Sequence, residues 1–335
     1  MNRSTTTTST GGQPTQLDLN TKWIKVFLFH WLRTGGYMPY LAASMYSWPI
    51  YTSALLIWYY TQLSHFPSWR AGLRDLTRTA ASVIDLHVDT SEYITPTDRR
   101  ILYTIHDHVI LGGLGGFHLG GHDMWSGPIS SKRDGKQGVS VTGPAVAYMP
   151  LYRETGIDYQ QGISQQYTTA ATPENIRTIF KSGNDVAIVP GGFGEAVYSG
   201  TGVDTIYLRI RDRKGFVKQA ILNQADLAPI CQWGPHLWYK QPQWCRRLRA
   251  TIAQRWYIPM VCFFGRYGTS LPNNLDVKHY TWVGPPFSTR DYTVEQVDDA
   301  HTAYMDHVLG FYRRKIKEAG LETKVVLVGP PRSKM

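Results

Sequence analysis

Residues 172–195, TPENIRTIFKSGNDVAIVPGGFGE, decide the fold class. The opening Thr172-Pro173-Glu174 predicts a helix start, because threonine is a favoured N-cap and proline fits the first helical position. The apolar run Val186–Val189 predicts a buried strand, and Pro190-Gly191-Gly192 stops it with a turn. A helix that leads directly into a buried strand is typical of sheets whose strands run parallel.

The same alternation continues on both sides of this stretch. Further helices are expected at 214–224 and at the C-terminus, where Thr293 and Gln296 form a predicted capping box for a helix that reaches Ala319-Gly320. Further strands are expected at 101–105, 145–149, 205–210, 227–231 and 260–264. We therefore predict an α/β fold with a mostly parallel sheet and flanking helices.

Length and composition support a folded chain. The 335 residues are 42% hydrophobic, which is enough to bury a sizeable core. The three cysteines cannot all pair within one chain and none lies in a CxxC pattern, so neither a disulfide framework nor a zinc ribbon is indicated. We expect all three thiols to act as small core side chains; they are Cys231, Cys245 and Cys262.

The charge balance favours a membrane surface as the partner. Aromatic residues make up 13% of the chain, charged residues only 18%, and the net charge is +10. A basic, aromatic-rich and charge-poor chain fits an anionic membrane face. Nucleic acid is the other interpretation of a basic chain, but no nucleic-acid motif and no dense tract of Lys and Arg is present.

The N-terminal part divides into two regions before the catalytic domain candidate at 70–335. Residues 1–20 are rich in Thr, Ser and Gly and predict a disordered tail. Residues 21–69 predict a membrane-embedded or re-entrant hairpin, because 34–69 contain no Asp, Glu, Lys or Arg. The apolar run 50–63 is short of the roughly 20 residues that span a bilayer as a helix. A buried helical hairpin of a soluble domain is the alternative.

The segment Ile105-His106-Asp107-His108-Val109 is the main candidate for chemistry. It ends a predicted strand, and six glycines follow within Gly112–Gly121. Histidine is the usual general base near neutral pH, and glycine backbone N–H groups can stabilise an oxyanion. Two alternatives stay open: a metal pair, with His118 and His122 as further ligands, or structural histidines in a core.

Two more segments carry candidate site residues. Glu195 follows the Pro190-Gly191-Gly192 turn at the end of a buried strand and is expected at the same sheet edge. Arg211-Asp212-Arg213-Lys214 gathers three cations at a strand-to-helix junction, which suits a phosphate or an acidic headgroup. Taken alone, Pro190-Gly191-Gly192 is first of all a turn, and the charged run 211–214 is a solvated surface. No nucleophile elbow and no nucleotide phosphate loop occurs in the sequence.

In this order, the segments resemble the diacylglycerol acyltransferase family of the second type, which also contains monoacylglycerol and wax-alcohol acyltransferases. The resemblance runs from about Ile101 to Val328. The family signature His-Pro-His-Gly falls on His106-Asp107-His108-Val109, where Asp replaces Pro and Val replaces Gly. The other matching stretches are Met149–Glu154, Gly183–Glu195, Arg213–Val217, Ala225–Pro229, Phe263–Arg266 and His301–Tyr304.

The resemblance implies a core like that of the glycerolipid acyltransferases and a membrane-embedded, acyl-CoA-dependent O-acyltransferase of the endoplasmic reticulum or lipid droplet. Fatty acyl-CoA is then a co-substrate, membrane lipids are partners, and no other cofactor, metal or nucleic acid is expected. The acceptor is a diacylglycerol, a monoacylglycerol or a fatty alcohol. The oligomeric state, a homo-oligomer included, stays open. Rival interpretations are a non-catalytic lipid-binding relative and a metal-dependent hydrolase.

The implied site has three groups of residues. The catalytic group consists of His106, His108 and Glu195, with His108 favoured as the base. The backbone of Gly112 and Gly113 is expected to stabilise the oxyanion. The residues expected to contact acyl-CoA or the acceptor are Pro190, Gly191, Gly192, Arg213, Lys214 and Gly215.

Overall fold

A computed structural model describes most of the core of the chain and part of its N-terminal region. The described residues are 21–25, 27–28, 38–61, 72, 75–76, 79, 82–94, 98–106, 129, 132–133, 136, 138–143, 169–199, 205–242, 244–255, 263–268, 273–274 and 277–329. Predictions for the tail at 1–20, for the strand at 145–149 and for Cys262 lie outside these residues.

The described elements alternate as the sequence predicts. The helices are α1 (Met38–Ser47), α2 (Pro49–Thr61), α3 (Pro173–Lys181), α4 (Gly192–Ala196), α5 (Gly215–Leu222), α6 (Arg246–Arg255) and α7 (Val297–Glu318). The strands are β1 (Asp85–Asp89), β2 (Arg100–His106), β3 (Gly138–Thr142), β4 (Thr169–Ala170), β5 (Asp185–Ile188), β6 (Thr205–Leu208), β7 (Ala225–Trp233), β8 (Lys278–Val283) and β9 (Lys324–Leu327).

Seven of these strands form one sheet in the order β1-β8-β7-β2-β5-β3-β4. Its neighbouring pairs are parallel except for β7 with β8. Strands β6 and β9 pair in parallel as a separate two-stranded sheet. The prediction of an α/β fold with a mostly parallel sheet is confirmed.

The central strand β2 shows how the two faces of the sheet are covered. Leu102 packs into the larger core cluster, which includes apolar residues of α3, α5 and α7. Ile101, Tyr103 and Ile105 pack into a second cluster. Because successive side chains of a strand point to opposite faces, Thr104 and His106 share the face of Leu102.

Both predicted helix starts are confirmed in detail. Thr172 Oγ1 accepts a hydrogen bond from the backbone N–H of Asn175, and Pro173 is the first residue of α3. Thr293 and Gln296 make both bonds of the capping box, although a short 3-10 turn over Val294–Gln296 precedes α7.

Two predictions need correction. In the described part of the predicted strand at 260–264, Phe264 only forms an isolated bridge with Lys240, because those two residues alone exchange backbone hydrogen bonds. Cys245 is exposed, whereas Cys231 is buried on β7 as expected. Cys245 lies outside the core because its backbone turns through a positive φ of 50° just before α6.

The two N-terminal helices meet at a sharp bend. The side-chain oxygens of Ser44 and Thr52 lie 2.6 Å apart, although eight residues of straight helix span about 12 Å. Pro49 lacks the N–H that would continue the hydrogen-bond ladder, which explains the bend. The inside of the bend forms an open cleft of about 390 Å³, lined by Ser44, Trp48, Tyr51, Thr52 and Leu55. Within the described ranges, no helix is both long and apolar enough to cross a membrane.

A charged cluster ties the end of β1 to the end of α7. Lys315 Nζ lies 2.8 Å from Asp89 Oδ2 and 2.8 Å from Glu92 Oε1. Partial burial opposes ionisation of Asp89, but its bonds from Lys315 and Ser91 outweigh that effect and lower its pKa to about 2. The stability from this carboxylate is therefore complete above about pH 4 and is lost as the pH falls through 2.

Asp89→Asn should lower the free energy of unfolding by about 1 kcal/mol at pH 7, because solvent screens this half-exposed cluster. The difference from the unsubstituted protein should disappear near pH 2. Urea unfolding at both pH values measures it, with exposed Glu322→Gln as the charge-matched control. If the variant is still less stable by the same free energy at pH 2, the ion pair is not the source of the difference.

Candidate active site

The carboxyl ends of β2 and β5 bring two predicted segments side by side. Thr104 pairs with Ile188, the last residue of β5, so the turn at Pro190 follows β5 at the same edge of the sheet at which β2 ends with His106. Strands in a sheet lie about 4.8 Å apart. The chain runs from β5 on one side of β2 to β7 on the other. Such a change of direction leaves a crevice at the carboxyl ends of the strands, where α/β folds bind ligands.

His106 is fully buried and held against α7. Its Nε2 lies 3.1 Å from the hydroxyl oxygen of Tyr304 and 3.1 Å from Thr104 Oγ1. Among the described residues, its Nδ1 has no hydrogen-bond partner. His106 is thus fixed through one ring nitrogen, while the other has no hydrogen bond from the described part of the chain.

The direction of the hydrogen bonds assigns the tautomer of His106. Thr104 Oγ1 lies 3.4 Å from the carbonyl oxygen of Ala228, which can only accept. Thr104 then donates to Ala228, Tyr304 donates to Thr104, and His106 Nε2–H donates to both hydroxyl oxygens. The reverse direction would leave a buried Nδ1–H without an acceptor, which is the costlier arrangement. His106 Nδ1 is therefore the unprotonated nitrogen.

Burial keeps this imidazole neutral. It lowers the pKa of His106 to about 3, because desolvation disfavours the cation. A general base works best with a pKa near the working pH, so His106 is a weak base in this state. Its free Nδ1 is suited to accept a hydrogen bond and to orient the donor.

The Pro190-Gly191-Gly192 turn needs both of its glycines. Gly192 has φ +56°, a left-handed conformation that disfavours side chains. A Cβ on Gly191 would lie 2.2 Å from Glu195 Oε2, so the Glu195 carboxylate packs directly on the turn. Glu195 is itself buried and accepts a hydrogen bond of 2.5 Å from the backbone N–H of Arg209. Its carboxylate is thereby joined to the segment that follows β6, and its place at the sheet edge stays a prediction.

Arg209 is a buried cation that the sequence reasoning missed. Its Nη2 pairs with Asp212 at 2.6 Å, and its Nη1 occupies the space that a Cβ on Gly194 would need. Within the described residues, its Nε and Nη1 have no partner. Burial lowers the pKa of Arg209, and Asp212 opposes this. Gly194 is therefore required for close packing, and Arg209 brings positive charge beneath the Glu195 segment.

The predicted phosphate-binding residues begin α5. Helix α5 leads into the amino end of β7, so Arg213, Lys214 and Gly215 lie at its end nearer the carboxyl edge of the sheet. Lys214 makes an exposed ion pair with Asp298 at 2.6 Å. Arg213 Nε is buried and has no partner among the described residues. Of the two side chains, Arg213 has the donor left for a ligand.

Three predicted site residues lie outside the described part of the chain: His108, Gly112 and Gly113. Their roles stay predictions, as do the metal and structural interpretations of the His106–His108 pair. The structure adds Thr104 and Tyr304 to the site. Two-residue alternation along β2 could have placed Thr104 beside His106, whereas no local signal pairs His106 with Tyr304.

Comparison with known proteins gives the family. The diacylglycerol acyltransferase family matches residues 77–329. Human diacylglycerol O-acyltransferase 2 is 29% identical over 247 residues, covering 69% of this chain and 61% of the relative. Mouse 2-acylglycerol O-acyltransferase 1 is 29% identical over 159 residues, covering 44% of this chain and 46% of the relative. The match thus spans less than two thirds of each relative's length.

One solved structure is also similar. The 1-acyl-sn-glycerophosphate acyltransferase PlsC from Thermotoga maritima aligns with a TM-score of 0.40 and 12% identity, covering 88% of this chain and 97% of that one. The sheet itself defines an α/β protein with a candidate site at the carboxyl ends of parallel strands. Within that class, the chain belongs to the diacylglycerol acyltransferase family.

Proposed function

We propose that this chain is an acyl-CoA-dependent O-acyltransferase that esterifies a glycerolipid hydroxyl, with diacylglycerol as acceptor and triacylglycerol as product. The family match over residues 77–329 carries the proposal, because it includes all the candidate site segments. The relatives' names supply the acceptor class, with diacylglycerol in one and 2-acylglycerol in the other.

The reaction needs one base and one oxyanion site. His108 takes the proton of the acceptor hydroxyl while that oxygen attacks the thioester carbonyl. The backbone N–H groups of Gly112 and Gly113 stabilise the negative oxygen of the tetrahedral intermediate. Collapse of the intermediate forms the ester and breaks the carbon–sulfur bond. Coenzyme A leaves as the thiolate and then takes the proton from the histidine.

His106 acts in this proposal as a positioning residue. It is neutral and held by Tyr304 and Thr104, and its Nδ1, which has no partner among the described residues, can accept a hydrogen bond from His108. Glu195 and the Pro190-Gly191-Gly192 turn shape the acceptor side of the crevice.

Acyl-CoA binding is assigned to the start of α5. The phosphates of coenzyme A would pair with Arg213 and Lys214, next to the backbone of Gly215. Arg213 is the stronger candidate, since its buried Nε lacks a described partner while Lys214 already pairs with Asp298.

The proposed location is the membrane of the endoplasmic reticulum or the surface of a lipid droplet. The bent pair α1–α2 supports this, because large apolar side chains outside the cleft are exposed, among them Tyr46, Ile50 and Ile57. Interfacial tyrosines and an uncharged helix pair suit insertion into the lipid surface. Both the acceptor and the product partition into lipid, so an enzyme at that surface meets its substrate there.

Tyr304→Phe should lower the turnover number about tenfold with the Michaelis constant for acyl-CoA unchanged. The change removes one of the two hydroxyl oxygens that hold His106, and a hydrogen bond of about 1.4 kcal/mol, at the upper end of the usual range, corresponds to a factor of about ten. Steady-state kinetics with separate values for the two constants measures the effect.

Tyr312→Phe is the matched control on the same helix. Its hydroxyl is also buried and donates to the carbonyl of Gln232. This variant should lose stability and keep its turnover number. Equal turnover losses in both variants would mean that Tyr304 acts only through the packing of α7.

Transfer of labelled oleoyl-CoA by membranes that contain the chain tests the function itself. The panel holds diacylglycerol, monoacylglycerol and a fatty alcohol, beside the double variant His106→Ala/His108→Ala. An ester product that depends on the histidines establishes the activity and its acceptor. No product from well-expressed, membrane-bound protein would favour a lipid-binding relative, with Asp107 and Val109 as the altered signature positions.

A further inference from the structure

Helix α6 presents an exposed apolar face that the proposed chemistry does not use. Trp244, just before the helix, is 63% exposed, and Leu248, in its first turn, is 58% exposed. Phe264 and Tyr267 are exposed on the neighbouring segment. Two backbone hydrogen bonds of 2.9 Å between Lys240 and Phe264 join that segment to the chain leading into α6.

The opposite face of α6 is packed, so the helix is fixed in orientation. Ala250 and Ala253 form a core cluster with Val197. The Arg249 side chain donates to the carbonyl of Pro242 and to Gln241 Oε1. Trp244 and Leu248 are therefore held outward by a helix that already has its core contacts.

The charged residues of the segment that carries this face have one sign. Residues 227–275 contain no Asp or Glu. The same segment contains six cationic residues, Lys240, Arg246, Arg247, Arg249, Arg255 and Arg266. An acid-free basic segment with exposed tryptophan, tyrosine and phenylalanine complements a layer of anionic headgroups over an apolar interior.

We propose that the Trp244 face, defined as Trp244, Leu248, Phe264 and Tyr267, docks on the anionic surface of a lipid bilayer. Its aromatic rings enter the interface while accessible cations of the same segment, the exposed Lys240 among them, pair with lipid phosphates. This contact is separate from the bent helix pair at residues 38–61 and lies within the catalytic domain candidate.

Docking would orient the candidate site, because α6 is joined to the segment after β5. Gln241 Nε2 donates to the carbonyls of Ala196 and Ser199, each at 2.6 Å. The segment with Pro190-Gly191-Gly192 and Glu195 is therefore bonded to the part of the chain that would contact lipid. This consequence rests on the proposed function, since it assumes an acceptor that arrives from the bilayer; the docking itself does not.

A fluorescent label beside the face tests the docking in the full chain. Cys245 is exposed and adjoins Trp244, whereas Cys231 is buried. The Cys262→Ser variant is labelled with NBD on Cys245. The NBD emission is then measured in the presence of vesicles of phosphatidylcholine, alone or mixed with phosphatidylserine. We expect a blue shift, and quenching by spin-labelled lipid, in the anionic vesicles. High salt should reduce both.

The double variant Trp244→Ser/Leu248→Ser should abolish the shift and the quenching in anionic vesicles. Ile94→Ser is the matched control, because Ile94 is 80% exposed and belongs to the segment that enters the amino end of β2. It should leave both signals unchanged. The signal at residue 245 is local, so binding of the chain through residues 38–61 does not produce it.

Two results would overturn the proposal. The first is an NBD emission that stays typical of water although the chain is bound to anionic vesicles. The second is a blue shift that appears without lipid and grows with protein concentration, which would identify a second copy as the occupant. Neither measurement uses acyl transfer, so the test of docking does not depend on the proposed activity.

Discussion

His108→Ala is expected to lower the turnover number by about 100- to 10,000-fold, the usual contribution of a general base. The other histidine of the pair is a poor candidate for that role. His106 is fully buried, donates from Nε2 to Tyr304 and Thr104, and has a pKa near 3. We therefore propose His108 as the base.

The pH dependence of kcat/KM distinguishes the two histidines. If His106 were the base, its lowered pKa would carry activity down to about pH 3. If His108 is the base, activity should already be lost on the acid side well above pH 3. The residual rate of His108→Ala should then lack that acid-side fall.

His87→Ala controls for the loss of a histidine as such. His87 lies on β1, exposed and stacked on Tyr280. Its replacement should leave the turnover number unchanged. Unchanged turnover in a folded His108→Ala protein would remove His108 from the mechanism.

The sequence predicted the elements that depend on local signals. Thr172 caps α3, the capping box of Thr293 and Gln296 precedes α7, and the Pro-Gly-Gly turn follows β5, because each uses contacts within a few residues. Strands β1, β3, β4, β8 and β9 escaped prediction, and β1 and β8 show the reason. Their sequences, DLHVD and KHYTWV, mix charged or polar residues with apolar ones and become strands by pairing across nearly 200 residues of chain.

The candidate site divides in the same way. The sequence indicated His106 and the turn before Glu195, and the parallel register brings both to one edge. The hydroxyls of Thr104 and Tyr304, 200 residues apart, could not be paired from spacing. Arg209 was missed as well, because only the packed structure shows that Gly194 makes room for its guanidinium.

Arg133→Met should lower the free energy of unfolding by about 3–5 kcal/mol, since it leaves a buried carboxylate without its cation. Arg133 Nε lies 2.9 Å from Asp185 Oδ2, and its Nη2 lies 3.0 Å from Oδ1, with both side chains almost wholly buried. Asp185 also accepts the N–H of Ile101, so one carboxylate joins β5 to β2.

The Arg133–Asp185 pair lies away from the candidate site, so its loss should affect stability and not turnover. Asp185 begins β5 and Ile101 lies near the start of β2, so the pair holds the amino ends of the two strands that carry the candidate site at their carboxyl ends. Chemical denaturation of Arg133→Met should therefore show a large loss of stability, with the turnover number of the folded fraction unchanged.

Two further variants test the cause of that loss. Asp185→Asn on the Arg133→Met background should recover part of it, because an amide oxygen still accepts from Ile101 and no unpaired charge remains. Lys25→Ala breaks the exposed pair with Asp75 and should cost no more than about 1 kcal/mol. If Arg133→Met costs as little as Lys25→Ala, the pair does not anchor the sheet, and the amino ends of β2 and β5 must be held by their backbone pairing and core contacts alone.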